Sequence, residues 1–175
     1  GSEAYRTTSP LTGSQKTANE PANHVTGLTA TATSSAITLS WTGSTGSPAP
    51  TNYLMVARDV TNGGSYPAFS DGSAVPGTDN NLSTGNSGTA NVAFGTNTYN
   101  SWSNLTAGNQ YEFTVLPYTT NGFFNPDYKT SPAAPLVSVY VEPSAAASAP
   151  TFGSQTPTSI QVTVGGGTGL GASGG

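Results

Sequence analysis

The chain of 175 residues contains no cysteine. Disulfides, zinc–thiolate sites and thiol catalysis are therefore excluded. Histidine is almost absent as well, because His24 is the only one, and it has no partner at the spacing of a known motif. We expect His24 to be an ordinary surface residue. A catalytic triad or a histidine-based metal site is not indicated, and we expect the protein not to be an enzyme.

Charge is scarce too. Only 7% of the residues are charged, against roughly a quarter in an average soluble domain. The four basic residues are scattered along the chain, so the basic patch that nucleic acid requires is missing and we expect no nucleic-acid partner. No apolar run approaches the roughly 18 residues of a spanning helix, and we expect no membrane span.

Thr, Ser, Asn, Gly and Pro fill much of the rest of the sequence. Thr, Val and Tyr favour strands, whereas Gly, Asn and Pro favour turns. The residues that long surface helices need are few. The composition therefore predicts an all-β protein. Low charge with abundant Thr, Asn, Ser and Gly is common in bacterial surface and secreted proteins, so we expect an extracellular location, either secreted or on the cell surface.

Alternating apolar residues predict several short strands. "AITLSW" at 36–41 and "QYEFTV" at 110–115 alternate cleanly, and so does "PLVSVYVEP" at 135–143. "TNYLMVARD" at 51–59 has apolar residues on both faces and predicts a central strand covered on both sides. An earlier strand has a slip at Gly27 that predicts a β-bulge. About seven strands with regular turns predict a sandwich of two sheets.

Residues 59–90 are harder to interpret. They are rich in Gly, Asn, Ser and Asp, with isolated apolar residues such as Val75 and Leu82. A structureless loop of this length is unusual in a compact domain. We therefore expect one or two short edge strands within it.

Three features resemble a fibronectin type III domain. Trp41 ends the "AITLSW" strand, Tyr53 opens the next strand, and "LTAGNQYEFTV" occupies 105–115. The resemblance implies a fibronectin type III-like, immunoglobulin-like β-sandwich with Tyr111 as its tyrosine-corner residue. The core and structural residues that it implies are Trp41, Tyr53, Leu105, Tyr111, Phe113 and Val115.

A wider pattern points to a tandem-repeat context. "YLMVAR", the Asp71–Gly72 turn and "YKTSPAA" at 128–134 resemble repeats of large secreted or cell-surface proteins of Bacteroidetes-type bacteria. The resemblance covers residues 22–142. It implies that the chain is one module among several.

The chain also repeats itself. "YRTTSP" at 5–10 returns as "YKTSP" at 128–132, and Ile37 of "TSSAITLS" corresponds to Ile160 of "TPTSIQVT". Tyr5 and Tyr128 are 123 positions apart, and so are Ile37 and Ile160, which predicts a repeat of that length. The chain then divides into the tail of a preceding repeat (1–17), a linker (18–24), a complete fibronectin type III-like domain (25–142), a second linker (143–150), and the first strands of a following repeat with a Gly-rich end (151–175).

Two sets of residues are candidates for binding. Asp59, Asp71 and Asp79 lie in one Asn/Gly/Asp-rich region and are weak calcium candidates, because calcium prefers carboxylate and amide oxygens. Turn chemistry is the alternative explanation, and we expect no other cofactor. The aromatic candidates for ligand contact are Phe123, Phe124, Tyr128, Tyr66 and Phe69. The alternative for these is packing on the core or on a neighbouring repeat.

The sequence predicts a non-catalytic extracellular tandem-repeat module that serves as a structural spacer, an adhesive or a fibre-forming unit. The alternative is a carbohydrate-binding or spacer module appended to a secreted hydrolase. Expected partners are neighbouring repeats or identical chains, joined by strand pairing, or a glycan or protein ligand.

Overall fold

The computed structural model describes residues 19–120 and 126–166. These residues form strands, turns and loops, with no helix among them, so the all-β prediction is confirmed. No helix of the described part could cross a membrane. The strands are β1 (Thr26–Ala32), β2 (Ile37–Thr42), β3 (Asn52–Asp59), β4 (Ser87–Ala93), β5 (Thr98–Tyr99), β6 (Gln110–Thr119), β7 (Asp127–Tyr128), β8 (Leu136–Tyr140), β9 (Thr151–Thr156) and β10 (Ser159–Thr163).

Strands β1 to β8 form two antiparallel sheets. The smaller has the order β1-β2-β5, and the larger has the order β4-β3-β6, with β7 and β8 both beside β6. Strand β7 pairs with the end of β6, and β8 pairs with the beginning of β6. Strands β7 and β8 are therefore successive segments of one last strand. This is the expected seven-stranded sandwich of fibronectin type III-like topology.

The main core lies between the two sheets. Strand β2 contributes Ile37 and Leu39, both fully buried, and Trp41, which is 5% exposed. The Trp41 ring meets the Tyr53 ring edge-on, with 5.8 Å between centroids. The facing residues of β3 and β6 are all buried: Tyr53, Met55, Ala57, Tyr111, Phe113 and Val115. Leu105 is partly buried against this core.

Strand β3 is covered on both faces, as its apolar pattern predicted. Leu54 and Val56 point away from the main core and are fully buried in a second apolar cluster. Side chains of the 60–86 segment cover this outer face of the large sheet, together with residues of β6 and β7. A long Gly- and Asn-rich segment therefore completes the fold by supplying a third layer.

The prediction of edge strands within 59–90 was wrong for residues 60–86. In that stretch the backbone makes isolated bridges, Asp79 with Thr89 and Asn81 with Ser103. The bonds between Asp79 and Thr89 run both ways, at 2.9 and 2.7 Å, and lie along the outer edge of β4. An edge strand exposes unpaired backbone groups, so this bridge protects part of the edge without forming a strand of its own.

The β-bulge predicted at Gly27 is present. The pairing of β1 with β2 shifts by one residue between Thr26 and Thr29. Gly27 has a φ of 60°, in the left-handed region where a residue without a Cβ is least strained.

The chain enters and leaves the sandwich at opposite ends. Thr26 at the start of β1 pairs with Thr42, at the end where the β2–β3 loop lies; we call this end the entry pole. Tyr140 at the end of β8 pairs with Gln110 at the beginning of β6, which defines the exit pole. Because strands of the two sheets run between these poles, the chain traverses the length of the sandwich from β1 to β8.

Candidate functional site

The described aromatic candidates form a covering layer. Tyr66 and Phe69 are half-buried over the outer face of the large sheet, and Tyr128 is 1% exposed beneath them. The Phe69 and Tyr128 rings meet edge-on with 5.2 Å between centroids. These three side chains therefore lie together, although they do not present an open aromatic platform. The remaining candidates, Phe123 and Phe124, lie outside the described residues.

An ion pair with a tyrosine lies at the edge of this layer. Glu112 Oε1 accepts bonds of 2.6 Å from Arg58 Nε and 2.9 Å from the Tyr66 hydroxyl, and Arg58 Nη2 is also 2.6 Å away. The guanidinium lies 5.1 Å from the Tyr66 ring centre, a cation–π contact. The cluster joins β3, β6 and the 60–86 segment.

The protonation of this cluster follows from its surroundings. Burial alone would raise the pKa of Glu112, but the hydrogen bonds from Arg58 and Tyr66 outweigh it and hold that pKa below its usual range. Burial, reinforced by the bond to Glu112, raises the pKa of Tyr66. Both effects keep Glu112 as a carboxylate acceptor and Tyr66 as a neutral donor.

Asp59, the first calcium candidate, is a buried structural acceptor. Its side chain is 2% exposed. Its Oδ1 accepts a 3.1 Å bond from the Asn62 backbone, and its Oδ2 accepts 2.8 Å bonds from the Asn62 and Asn109 amides. These bonds tie the end of β3 to the turn after it and to the turn before β6.

The other two aspartates lie elsewhere. Asp71 Oδ1 accepts a 2.7 Å bond from the Tyr128 backbone, and Asp79 Oδ1 accepts a 3.2 Å bond from the Asn81 backbone. The three aspartates share no hydrogen-bond partner in these contacts. Residues 19–120 and 126–166 contain no group of three His, Asp or Glu side chains that could hold a metal ion. The structure thus gives each aspartate a local turn or strand contact.

His24 is held against the entry pole rather than standing free on the surface. Its Nε2 lies 2.6 Å from the carbonyl oxygen of Pro132, so this nitrogen carries the hydrogen and donates it. The preceding residues are also fixed: Thr119 donates to the Asn19 carbonyl at 2.6 Å, and Glu20 pairs with Lys129 at 3.3 Å. Much of the short linker predicted at 18–24 is therefore bonded to the domain that follows it.

A cleft of about 310 Å³ lies beside this linker. Its lining residues come from the linker, from the end of β2 with the loop after it, and from the segment after β7: Ala22, Asn23, His24, Thr26, Thr42, Gly43, Thr45, Lys129 and Pro132. Lys129 is engaged by Glu20, and the other lining side chains besides His24 are Thr, Ala, Asn and Pro.

The β9–β10 hairpin carries an uncovered apolar face. Ile160 is 53% exposed, Val162 48% and Val164 79%, and Phe152 on the paired strand is 64% exposed. Phe152 and Val162 are direct cross-strand partners, so their side chains share one face. The sequence predicts strands here, whereas the lack of cover on this face in the described part of the chain follows only from the structure.

Comparison with known proteins adds little. No protein-family model matches the chain, and no curated protein matches it. Among solved structures, the chain is similar to a fibronectin type III domain of human collagen XX, at 22% sequence identity. The alignment covers 72% of this chain and 100% of that one, with a TM-score of 0.41. The fold is established by the strand order and pairing given above.

Proposed function

We propose that the chain is a non-catalytic extracellular structural module in a tandem array, acting as a spacer, adhesive or fibre-forming unit of a bacterial surface or secreted protein. The observation that carries the proposal is a repeated hairpin. β9–β10 follows β1–β2 at the offset of 123 residues found in the sequence.

The two hairpins agree at their turns. Thr33 Oγ1 donates to the Ala36 carbonyl at 3.5 Å, and Thr156 Oγ1 donates to the Ser159 carbonyl at 3.4 Å. The strand pairing next to each turn is equivalent, because Ala32 pairs with Ile37 and Gln155 pairs with Ile160. Agreement in both sequence and pairing supports β9–β10 as the first hairpin of a following unit.

The position of the two poles suits an array. A unit that takes the chain in at one end and releases it at the other can be joined end to end with its neighbours. The bonds from Asn19, Glu20 and His24 to the entry pole would fix the direction in which the chain arrives. A module of this kind transmits force along its length and needs no active site.

The aromatic residues named for the carbohydrate-binding alternative, where the structure describes them, do not support it. Such a site typically offers an exposed aromatic ring. Tyr66 and Phe69 are instead half-buried over the second apolar cluster, and Tyr128 is buried within it.

Single-molecule pulling of the 175-residue chain, held by its two ends, tests the proposal. Under force, a spacer domain should unfold in one cooperative step. That step should release roughly 400 Å of chain, the extended length of residues 25–142. Gradual extension without a distinct rupture would contradict a load-bearing role. Retention on a glycan array that depends on Phe123 or Phe124 would replace the proposal with the carbohydrate-binding alternative.

A further inference from the structure

We propose that β9–β10 is a donor hairpin whose apolar face docks on the core face of the β3–β6 sheet in a second copy of this chain once the resident β1–β2 hairpin is displaced. There it would take the place that β1–β2 occupies in its own chain. The proposal rests on the repeat equivalence argued above, and it adds a specific partner and surface.

The acceptor surface is closed by side chains rather than by a shared sheet. Among the described residues, β1 and β2 form no strand ladder with β3 or β6. They are held by burial of Ile37, Leu39 and Trp41 against the large sheet, and β2 also pairs with the two-residue strand β5. A hairpin whose second strand has the same spacing of apolar residues can therefore present that strand to the surface in the same way.

Strand β10 carries equivalent apolar residues at two of the three positions that β2 buries in the core. Ile160 stands where Ile37 does, and Val162 stands where Leu39 does. Between and after them, Gln161 and Thr163 keep the polar face that Thr38 and Ser40 provide in β2. Strand β10 of the donor hairpin is thus apolar in the same places as β2, and it is open, as the 48% exposure of Val162 shows.

The third position, that of Trp41, differs between the two hairpins and decides which of them occupies the sheet. Val164 stands where Trp41 does. The chain's own hairpin buries the Trp41 indole against Tyr53, and a valine gives up most of that apolar contact. Trp41 therefore keeps each domain closed by its own hairpin. Docking of the donor hairpin becomes favourable when β1–β2 has lost that advantage.

A second copy is a better acceptor than the chain's own sheet. Strand β8 ends at the exit pole, whereas a hairpin replacing β1–β2 would have to begin near the entry pole. The seven residues of β1 span about 23 Å. Residues 141–150, with Pro143 and Pro150, would have to turn back along the sandwich and use about two thirds of the roughly 33 Å that ten extended residues span. Exchange between chains needs no such reversal and grows head to tail.

Moving one tryptophan between the hairpins tests the proposal. The full chain carrying Trp41→Val and Val164→Trp weakens the resident hairpin and strengthens the donor. Its matched control carries Trp41→Val and Thr163→Trp, which puts the indole on the opposite face of the same strand. Sedimentation over a range of concentrations should show self-association at least about tenfold tighter for the first variant. Its folded far-ultraviolet signal should rise with concentration.

Each other outcome overturns the proposal. Equal association of the two variants would mean nonspecific contact through an exposed indole. Failure of the first variant to associate or to regain structure at high concentration would mean that the donor face does not fit. Refolding as a monomer would mean that the hairpin closes its own sheet. None of these results affects the pulling experiment on the unaltered chain, so the proposed spacer role stands or falls separately.

Discussion

The Tyr111 hydroxyl accepts a 2.9 Å hydrogen bond from the backbone nitrogen of Thr106, five residues earlier in the chain. Tyr111 is 1% exposed, so this bond links the buried start of β6 to the turn that precedes it. Burial raises the pKa of Tyr111, while the bond from Thr106 opposes the rise. The hydroxyl therefore remains neutral and fixes how the chain enters the longest strand of the core.

Replacing Tyr111 with Phe should lower the free energy of unfolding by about 1–2 kcal/mol, because it removes the acceptor and leaves the ring. Urea unfolding followed by tryptophan fluorescence measures this. The matched control is Tyr140→Phe, whose ring is 59% exposed and whose change should stay within about 0.5 kcal/mol. Equal effects of the two variants would show that the corner bond does not stabilise the fold.

The sequence predicted those parts of the fold that depend on local pattern. Strands β2, β6 and β8 alternate in the chain, and the two-faced pattern of 51–59 correctly indicated cover on both sides of β3. The bulge at Gly27 was also visible, because a slip in alternation is a local signal. Such features need only neighbouring residues to be recognised.

The remaining features depend on contacts between distant residues. Arg58 and Glu112 meet only because β3 and β6 pair in a particular register, which neither strand specifies alone. His24 was expected on the surface, yet it bonds Pro132, 108 positions away. Residues 60–86 lack alternation because they cover a sheet through scattered anchors. Their placement requires knowledge of the sheet beneath them.

Replacing Glu112 with Gln should weaken the fold in a pH-dependent way. The pKa of Glu112 is depressed in the folded protein, so its carboxylate adds stability above the unfolded-state pKa of about 4.3. That stability disappears as the pH falls through the lower folded-state value. Since Arg58 is 36% exposed, the loss at pH 7 should be only about 0.5–1.5 kcal/mol.

Thermal unfolding at pH 7 and at pH 3 measures the Glu112→Gln effect. The difference between variant and parent should be clear at pH 7 and smaller at pH 3. Glu142→Gln, a change of an exposed carboxylate, is the control and should have little effect at either pH. A constant difference for Glu112→Gln at both values would mean that its charge is not what stabilises the cluster.

Replacing Asp59 with Ala should destabilise the domain by about 2–4 kcal/mol, because it leaves the donors of Asn62 and Asn109 without their acceptor. The loss should be the same with millimolar calcium or with chelator, as measured by thermal unfolding. Calcium should not change the midpoint of the parent protein either. If calcium raised the midpoint of thermal unfolding of the parent, and Asp59→Ala abolished that rise, a metal site would instead be established.

Replacing Phe69 with Ala separates a covering role from a binding role. The ring packs against Tyr128 over the second apolar cluster, so its removal should cost about 1–3 kcal/mol of stability. Urea unfolding provides the measurement, and exposed Phe94→Ala, at 46% exposure, is the control expected to cost less. Loss of glycan retention with unchanged stability would identify Phe69 as a ligand contact.

The hydroxyl of Tyr128 is buried and has no hydrogen-bond partner among the described residues. Burial, reinforced by Tyr118 and Asp71, raises the pKa of Tyr128 to about 12. An unfolded tyrosine ionises near pH 10, so the folded state resists deprotonation. The stability linked to this group is complete below pH 10 and is lost as the pH rises toward 12.

Tyr128→Phe removes the ionisable group while keeping the ring beside Tyr118, whose centroid lies 5.2 Å away. The variant should be about as stable as the parent at pH 7, or more stable by up to about 1 kcal/mol, because no described bond is lost. The free energy of unfolding of the variant, relative to that of the parent, should rise by about 2–3 kcal/mol between pH 10 and pH 12. The midpoint of alkaline unfolding, followed by near-ultraviolet circular dichroism, should therefore move upward. An unchanged midpoint would mean that Tyr128 does not control alkaline unfolding, and a clear loss of stability at pH 7 would mean that its hydroxyl has a partner after all.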